Sequence, residues 1–248
     1  MIKPFLISVQ FLTRLPVRLA SQPNEKDLGN SLLFYPLVGF IIGLILIKLG
    51  WLLSGSQPLV TAALLVTTWV LITGGLHLDG LADSADAWIG GMGDRTKTLA
   101  IMKDPNCGPA GVTAIVLILL LKFVALYSLV IANEWITLLL AIILARTLLP
   151  LLFLTTPYVR SNGLGTSLAV HQPRQWSIFV VVTTFALMFL LTDIHYLLLS
   201  LTAVVTFLLL RHLMLHRIAG TTGDTAGALV EITETTVLLT SVIALTGC

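Results

Sequence analysis

The sequence predicts an all-α polytopic membrane protein with about seven transmembrane helices. Three observations point there: composition, the length of the apolar runs, and the placement of charge. Of the 248 residues, 56% are hydrophobic and 10% charged, far outside the range of soluble domains. Apolar runs at 32–53, 58–76, 111–131, 135–154, 176–192, 195–210 and 226–246 are each near the length that crosses about 30 Å of hydrocarbon. Helices follow, because a helix satisfies its own backbone in lipid.

Basic residues set the expected orientation. Lys3, Arg14, Arg18 and Lys26 precede the first run, and Arg95, Lys97 and Lys103 follow the second. Arg160 and Arg174 follow the fourth, and Arg211 and Arg217 the sixth. The connections at 54–57, 132–134 and 193–194, and the tail after 246, contain no Lys or Arg. The positive-inside rule then expects the N-terminus in the cytoplasm and the C-terminus in the periplasm. The long connections fall on the expected cytoplasmic side and the tight turns on the other, so function is expected at the cytoplasmic face. The net charge of +2 merely follows this topology.

Taken in order, residues 1–21 read as an interfacial amphipathic segment (Phe5, Leu6, Val9, Leu12) and not as a cleaved leader, since Arg14 and Pro16 interrupt the apolar character. Lys48, near the outer end of the first run, is expected to snorkel. Behind the second run comes Gly74-Gly75-Leu76-His77-Leu78-Asp79-Gly80-Leu81-Ala82-Asp83-Ser84-Ala85-Asp86. Spacings of four and three put Asp79, Asp83 and Asp86 within an arc of about 60° on one helix face. Three carboxylates so placed repel one another unless a cation sits among them. A divalent metal with hard oxygen ligands suits such a face; the alternative is a solvated acidic turn. His77, one turn away, reads equally as a helix-end hydrogen-bonding group or a substrate contact.

The next connection holds Gly90-Gly91-Met92-Gly93-Asp94-Arg95 and Ile101-Met102-Lys103-Asp104-Pro105-Asn106-Cys107-Gly108-Pro109-Ala110-Gly111. Glycines before a helix N-terminus can bring backbone amides to a phosphate, with Lys103 a phosphate partner and Asp104 a ligand. Such a loop equally serves to connect two helices. Lys122 sits within the third run, where it reads as a phosphate or ion-pair partner, or as snorkelling. Arg146 lies mid-span in the fourth and could bind phosphate or pair with Glu231 or Glu234. Arg160, Asn162, Gly163 and Gly165 follow, placed to clamp an anionic substrate.

The last run opens with Gly220-Thr221-Thr222-Gly223-Asp224-Thr225-Ala226-Gly227-Ala228-Leu229-Val230-Glu231-Ile232-Thr233-Glu234. Asp224 and Glu231, seven apart, share a helix face, with Glu234 deeper. Intramembrane acids are costly and mark function or a polar cavity; the small residues alone would indicate close helix packing. Cys107 and Cys248 are expected on opposite sides, so they are not expected to pair. With no visible repeat or linker, residues 1–248 read as one integral-membrane domain.

Together GGLHLDGLADSADAW, IMKDPNCGPAG and GTTGDTAGALVEITE resemble the cobalamin (5′-phosphate) synthase family, the adenosylcobinamide-GDP ribazoletransferases. The resemblance extends through Phe11-Leu12-Thr13-Arg14-Leu15-Pro16, Phe34-Tyr35-Pro36-Leu37-Val38-Gly39 and Gly163-Leu164-Gly165, and departs at Asn106-Cys107-Gly108-Pro109, where a Ser/Arg-rich loop is expected. It implies a membrane transferase in the bacterial inner membrane, dependent on Mg2+. A hydroxyl of α-ribazole, or of its 5′-phosphate, would attack adenosylcobinamide-GDP and release GMP. On that reading Asp79, Asp83 and Asp86 hold magnesium, and Asp104, Asp224 and Glu231 are further catalytic candidates. His77, Lys103, Arg146, Arg160 and Glu234 contact substrate. Expected partners are those two substrates and the lipid bilayer, with a homo-oligomer or other cobalamin-assembly enzymes left open and no nucleic acid.

Two rivals remain. The Asp79-Gly80-Leu81-Ala82 stretch matches the opening of the CDP-alcohol phosphotransferase motif, yet Asp83 stands where that motif has Arg and the second half is missing. A cation-coupled transporter would use Glu231 and Glu234 as its ion path.

Overall fold

The computed structural model describes residues 2–161, 164–190 and 194–246. Among them the chain forms twelve α-helices and no strand. In order these are α1 (Ile2–Leu12), α2 (Glu25–Ser31), α3 (Tyr35–Leu52), α4 (Pro58–Thr73), α5 (Leu76–Gly90), α6 (Arg95–Ile101), α7 (Pro109–Ala132), α8 (Trp135–Thr155), α9 (Leu164–Val170), α10 (Arg174–Leu190), α11 (Ile194–Ile218) and α12 (Gly223–Thr246). A short 3₁₀ turn, Leu32–Phe34, joins α2 to α3.

Five helical stretches are long and apolar enough to cross a membrane: Glu25–Leu52, Pro109–Ala132, Trp135–Thr155, Tyr196–Ile218 and Gly223–Ala244. A sixth is reached if α4 and α5, bent by 88°, count as one broken span. Each of the seven expected runs contains a helix, but α10 is a shorter apolar helix of 17 residues. Two boundaries move: the helix expected at 195–210 continues to Ile218, and that expected at 58–76 stops at Thr73. The cause of the second is Gly74 and Gly75, at φ +64° and +71°. Two successive left-handed residues end a helix, and glycine takes that conformation without strain. The expected turn at 193–194 falls partly, and the tail after 246 wholly, outside the described residues.

At the centre sits α8, buried along most of its length from Thr137 to Leu152. Around it, α3 and α12 pack most extensively. Gly39 and Gly43 permit this on the α3 side: a Cβ at Gly39 would stand 3.0 Å from the Ile142 carbonyl oxygen. Large apolar side chains such as Leu44, Leu64, Val116, Leu120, Phe179 and Leu209 stay exposed on the outside, as a lipid-facing surface requires.

The N-terminal segment is helical over only part of its length. Its helix ends at Leu12, and Ile7, Val9 and Leu12 are buried in the protein. Thr13 Oγ1 donates to the Val9 carbonyl at 2.7 Å, and Arg14 N donates to the Ile72 carbonyl at 2.6 Å. Residues 13–21 therefore run as a non-helical strap docked on the end of α4, and α1 packs on α2 and α3.

Candidate active site

Two glycines build the site. On α5, a Cβ at Gly80 would lie 2.7 Å from the Asp224 carbonyl oxygen. On α12, a Cβ at Gly227 would lie 3.2 Å from the His77 carbonyl oxygen and 3.4 Å from Gly80 Cα. Backbones in such close contact exclude side chains at the crossing. The crossing brings His77 and Asp79 beside the first turn of α12, which carries Asp224.

That first turn is capped from both sides. Thr222 Oγ1 accepts from Thr225 N at 3.2 Å, and Thr225 Oγ1 accepts from Thr222 N at 2.9 Å, a reciprocal arrangement that satisfies otherwise orphaned donors. An isolated parallel bridge, Tyr158 to Thr221, ties the turn to the segment after α8. Val159 N donates to the Thr221 carbonyl at 3.0 Å and Thr221 N to the Pro157 carbonyl at 2.8 Å. Arg160, three residues from Pro157, thereby reaches Asp224: Nη2 donates to Asp224 Oδ2 at 2.5 Å and to the Met102 carbonyl at 2.9 Å.

A cavity of about 160 Å³ opens at this crossing. Of the expected residues, His77, Asp79, Asp224 and Gly165 line it. Asp83, one turn further along α5, is close enough to feel the charges of Asp79, Asp224, Arg160 and Asp86. Phe11, Tyr35, Leu149, Phe153 and Leu168 supply apolar wall. Sequence reasoning gave none of these five a role, although Phe11 and Tyr35 lie in segments that carried the family resemblance.

Asp86 is turned to another use. Its Oδ2 accepts from Gly108 N at 2.7 Å and its Oδ1 from Gly111 N at 2.9 Å. The anion at the N-terminus of α7 is thus a side chain of the protein, where the sequence suggested a phosphate. A Cβ at either Gly108 or Gly111 would sit 2.5 Å from this carboxylate, which accounts for both glycines.

Lys103 and Asp104 lie exposed on the loop before α7, apart from the cavity lining. Asn106 donates twice to Asp104 Oδ1, from its backbone N and from Nδ2, and these bonds hold the Asp104 carboxyl below its ordinary range. The thiol of exposed Cys107 is pushed up, first by lost hydration and then by Asp86, Asp83 and Asp79. Burial likewise raises the Tyr158 hydroxyl. Asn162 and Gly163 lie outside the described residues, as does Cys248.

Glu231 and Glu234 lie apart from Asp224, about 10 and 15 Å along the helix from it at 1.5 Å per residue. Lys122 Nζ donates to Glu231 Oε2 at 2.6 Å and also to Glu234, which pairs with Arg146. All four are buried, and Lys122 additionally stands 4.5 Å from the Trp69 ring centroid. Lys122 therefore does not snorkel. This cluster joins α4, α7, α8 and α12 through two cations and two anions.

Among the described residues no three acids, histidines or cysteines stand close enough to hold a metal ion together. The donor chemistry does fit a hard cation: Asp79 and Asp224 line one cavity, Asp83 is their neighbour, and all offer oxygen.

A family model described as cobalamin-5-phosphate synthase matches residues 4–242. The chain is 53% identical to an adenosylcobinamide-GDP ribazoletransferase of Pseudomonas fluorescens, over 95% of this chain and 97% of the relative. It is 52% identical to the enzyme of that name from Pseudomonas aeruginosa, covering 96% of this chain and 97% of that one. A Pseudomonas putida relative with the same name is 53% identical at 95% and 97% coverage. No solved structure matches. End to end, the chain belongs to the cobalamin-5-phosphate synthase family, and it is a membrane-embedded transferase.

Proposed function

We propose that the enzyme joins adenosylcobinamide-GDP to α-ribazole or its 5′-phosphate, giving adenosylcobalamin or its 5′-phosphate and GMP. The ribazole hydroxyl oxygen forms a bond to the phosphorus attached to the cobinamide arm. The bond from that phosphorus to the bridging oxygen breaks, and this oxygen leaves with GMP. The hydroxyl proton passes to a carboxylate that lines the cavity, Asp79 or Asp224. The observation that carries this reading is the meeting of His77, Asp79 and Asp224 in one cavity, with Asp83 and Arg160 beside them.

Asp79 and Asp224, which line the cavity together, would hold magnesium, with Asp83 beside them on α5 and Asp86 committed to the α7 amides. When bound, magnesium supplies charge neutralisation at the diphosphate oxygens. Arg160, with Lys103 from the neighbouring loop, offsets charge on the departing GMP, as positioning and electrostatics dominate phosphoryl chemistry. Glu231, Glu234 and Arg146 act from below by fixing α12 in depth and rotation. Asp104 orders the loop that carries Lys103. We place the enzyme in the bacterial cytoplasmic membrane with this face toward the cytoplasm, a reading supported by the basic residues of the connecting segments, which fall on one side when the seven expected runs cross in turn.

Purified protein in liposomes, supplied with both substrates, tests the reading by GMP release. Release should require magnesium and fall to background in Asp79→Asn. Folded protein that makes no GMP, or makes it equally well with chelator present, would reject it.

A further inference from the structure

We propose that the cavity at the α5–α12 crossing is the subsite of the nucleoside acceptor, and that it takes a nucleoside with an apolar base. The inference rests on the joining reaction proposed above. Size decides first between the two substrates. A protein cavity of about 150 Å³ takes a benzene ring, so the partly open 160 Å³ here admits a planar base with its ribose at the open side and not a corrin macrocycle.

The walls then decide between the two nucleoside ends, guanosine on one substrate and the ribazole on the other. Phe11 and Tyr35 stack with centroids 6.4 Å apart and planes at 24°. Phe153 leans on Tyr158 at 6.0 Å and 37°, and Leu149 and Leu168 complete the apolar wall. A guanine set against Phe11, Phe153, Leu149 and Leu168 would bury several polar edge atoms. For these the lining offers His77, Asp79, Asp224 and the unpartnered Tyr35 hydroxyl, the first three of which the ribose end engages. An apolar planar base loses none and gains ring contacts.

An independent observation concerns His77. Its residue is 4% exposed, it lines the cavity, and its Nδ1 has no hydrogen-bond partner. A buried ring nitrogen left so costs stability unless a ligand reaches it. The ribose of a nucleoside stacked in the cavity brings a hydroxyl to that nitrogen. It also turns the reacting end toward Asp79 and Asp224, which share the same cavity.

The test uses the full chain in detergent. α-Ribazole is titrated by calorimetry without the corrinoid substrate, and KM is then measured for each substrate during turnover. Phe11→Ala and Phe153→Ala should each weaken α-ribazole binding about tenfold and raise its KM alike, with the adenosylcobinamide-GDP KM held within about twofold. His77→Ala should do the same, with His77→Asn partly restoring affinity. Leu149→Trp, which fills the cavity instead of emptying it, covers the case in which an alanine variant misfolds, and should likewise abolish α-ribazole binding. A rise in the adenosylcobinamide-GDP KM alone, or displacement of α-ribazole by guanosine, would overturn the subsite while leaving the joining reaction intact. Wild-type protein without turnover would overturn the joining reaction and the subsite with it.

Discussion

Arg160 and Asp224 lie 64 residues apart and meet at 2.5 Å, and the same Arg160 nitrogen donates to the Met102 carbonyl at 2.9 Å. One guanidinium therefore fixes the first turn of α12 against the loop that carries Lys103 and Asp104. Arg160→Ala releases both, and Arg160→Lys keeps the charge but loses the rigid planar group that aims one nitrogen at both acceptors. We expect kcat/KM to fall on the order of 10²-fold in either variant, the scale of a misplacement near 1 Å. A lysine variant with wild-type kcat/KM would show that charge alone suffices.

The Asp86 carboxylate offers a contrast between holding structure and holding metal. Because both its oxygens accept α7 amides, Asp86→Ala removes a charged cap and should cost about 1–2 kcal/mol of stability. Asp86→Asn keeps one acceptor and should cost less. Thermal unfolding in detergent reads the difference. Magnesium affinity, read by titration calorimetry, should fall more in Asp79→Asn than in Asp86→Asn; the reverse order would make Asp86 the stronger ligand.

The same contrast explains what the sequence could reveal. Helix positions follow from apolar run length, which is local, and the α4 break is written in Gly74-Gly75. The Asp79, Asp83, Asp86 face is likewise a local spacing, and α5 carries it as expected. Partnerships across the bundle are not local. The Asp86 amides lie 22 and 25 residues away, and Lys122 finds Glu231 across 109 residues. Periodicity gives each helix its faces but not which face meets which neighbour. For that reason Glu231 read as a companion of Asp224, although the helix rise sets them about 10 Å apart. The aromatic wall was hidden for another reason: Phe11 and Tyr35 look like any apolar residues until two helices bring them into stacking distance.

The buried ion cluster gives a stability prediction with a sign that depends on how it is cut. Glu234 pairs with both Lys122 and Arg146, so Glu234→Leu strands Arg146 in the interior and leaves Lys122 with Glu231 alone. Breaking a buried pair from one side costs about 3–5 kcal/mol. Lys122→Met combined with Glu231→Met removes one charge of each sign, and should cost less than the sum of the two single variants. Melting temperatures of the purified variants test this. Strict additivity would mean that Lys122 and Glu231 are not coupled.

Cys107 reports on the acidic face without touching turnover. Its thiol is held above the ordinary range by lost hydration and by the negative field of Asp86, Asp83 and Asp79. The thiolate is the reactive form, so near pH 8 alkylation of Cys107 should run slower than that of a free cysteine. A divalent cation bound among those carboxylates cancels part of the field. The thiol then ionises at lower pH, the thiolate fraction at pH 8 rises, and alkylation accelerates. Each unit of downward shift speeds the reaction about tenfold while the thiol form still dominates. The measurement is the rate of iodoacetamide labelling in a Cys248→Ser background, with and without magnesium at matched ionic strength, since salt alone screens exposed charges. Acceleration by magnesium that disappears in Asp83→Asn would place the cation on the α5 face. Equal rates with magnesium and with matched sodium would remove the metal from that face.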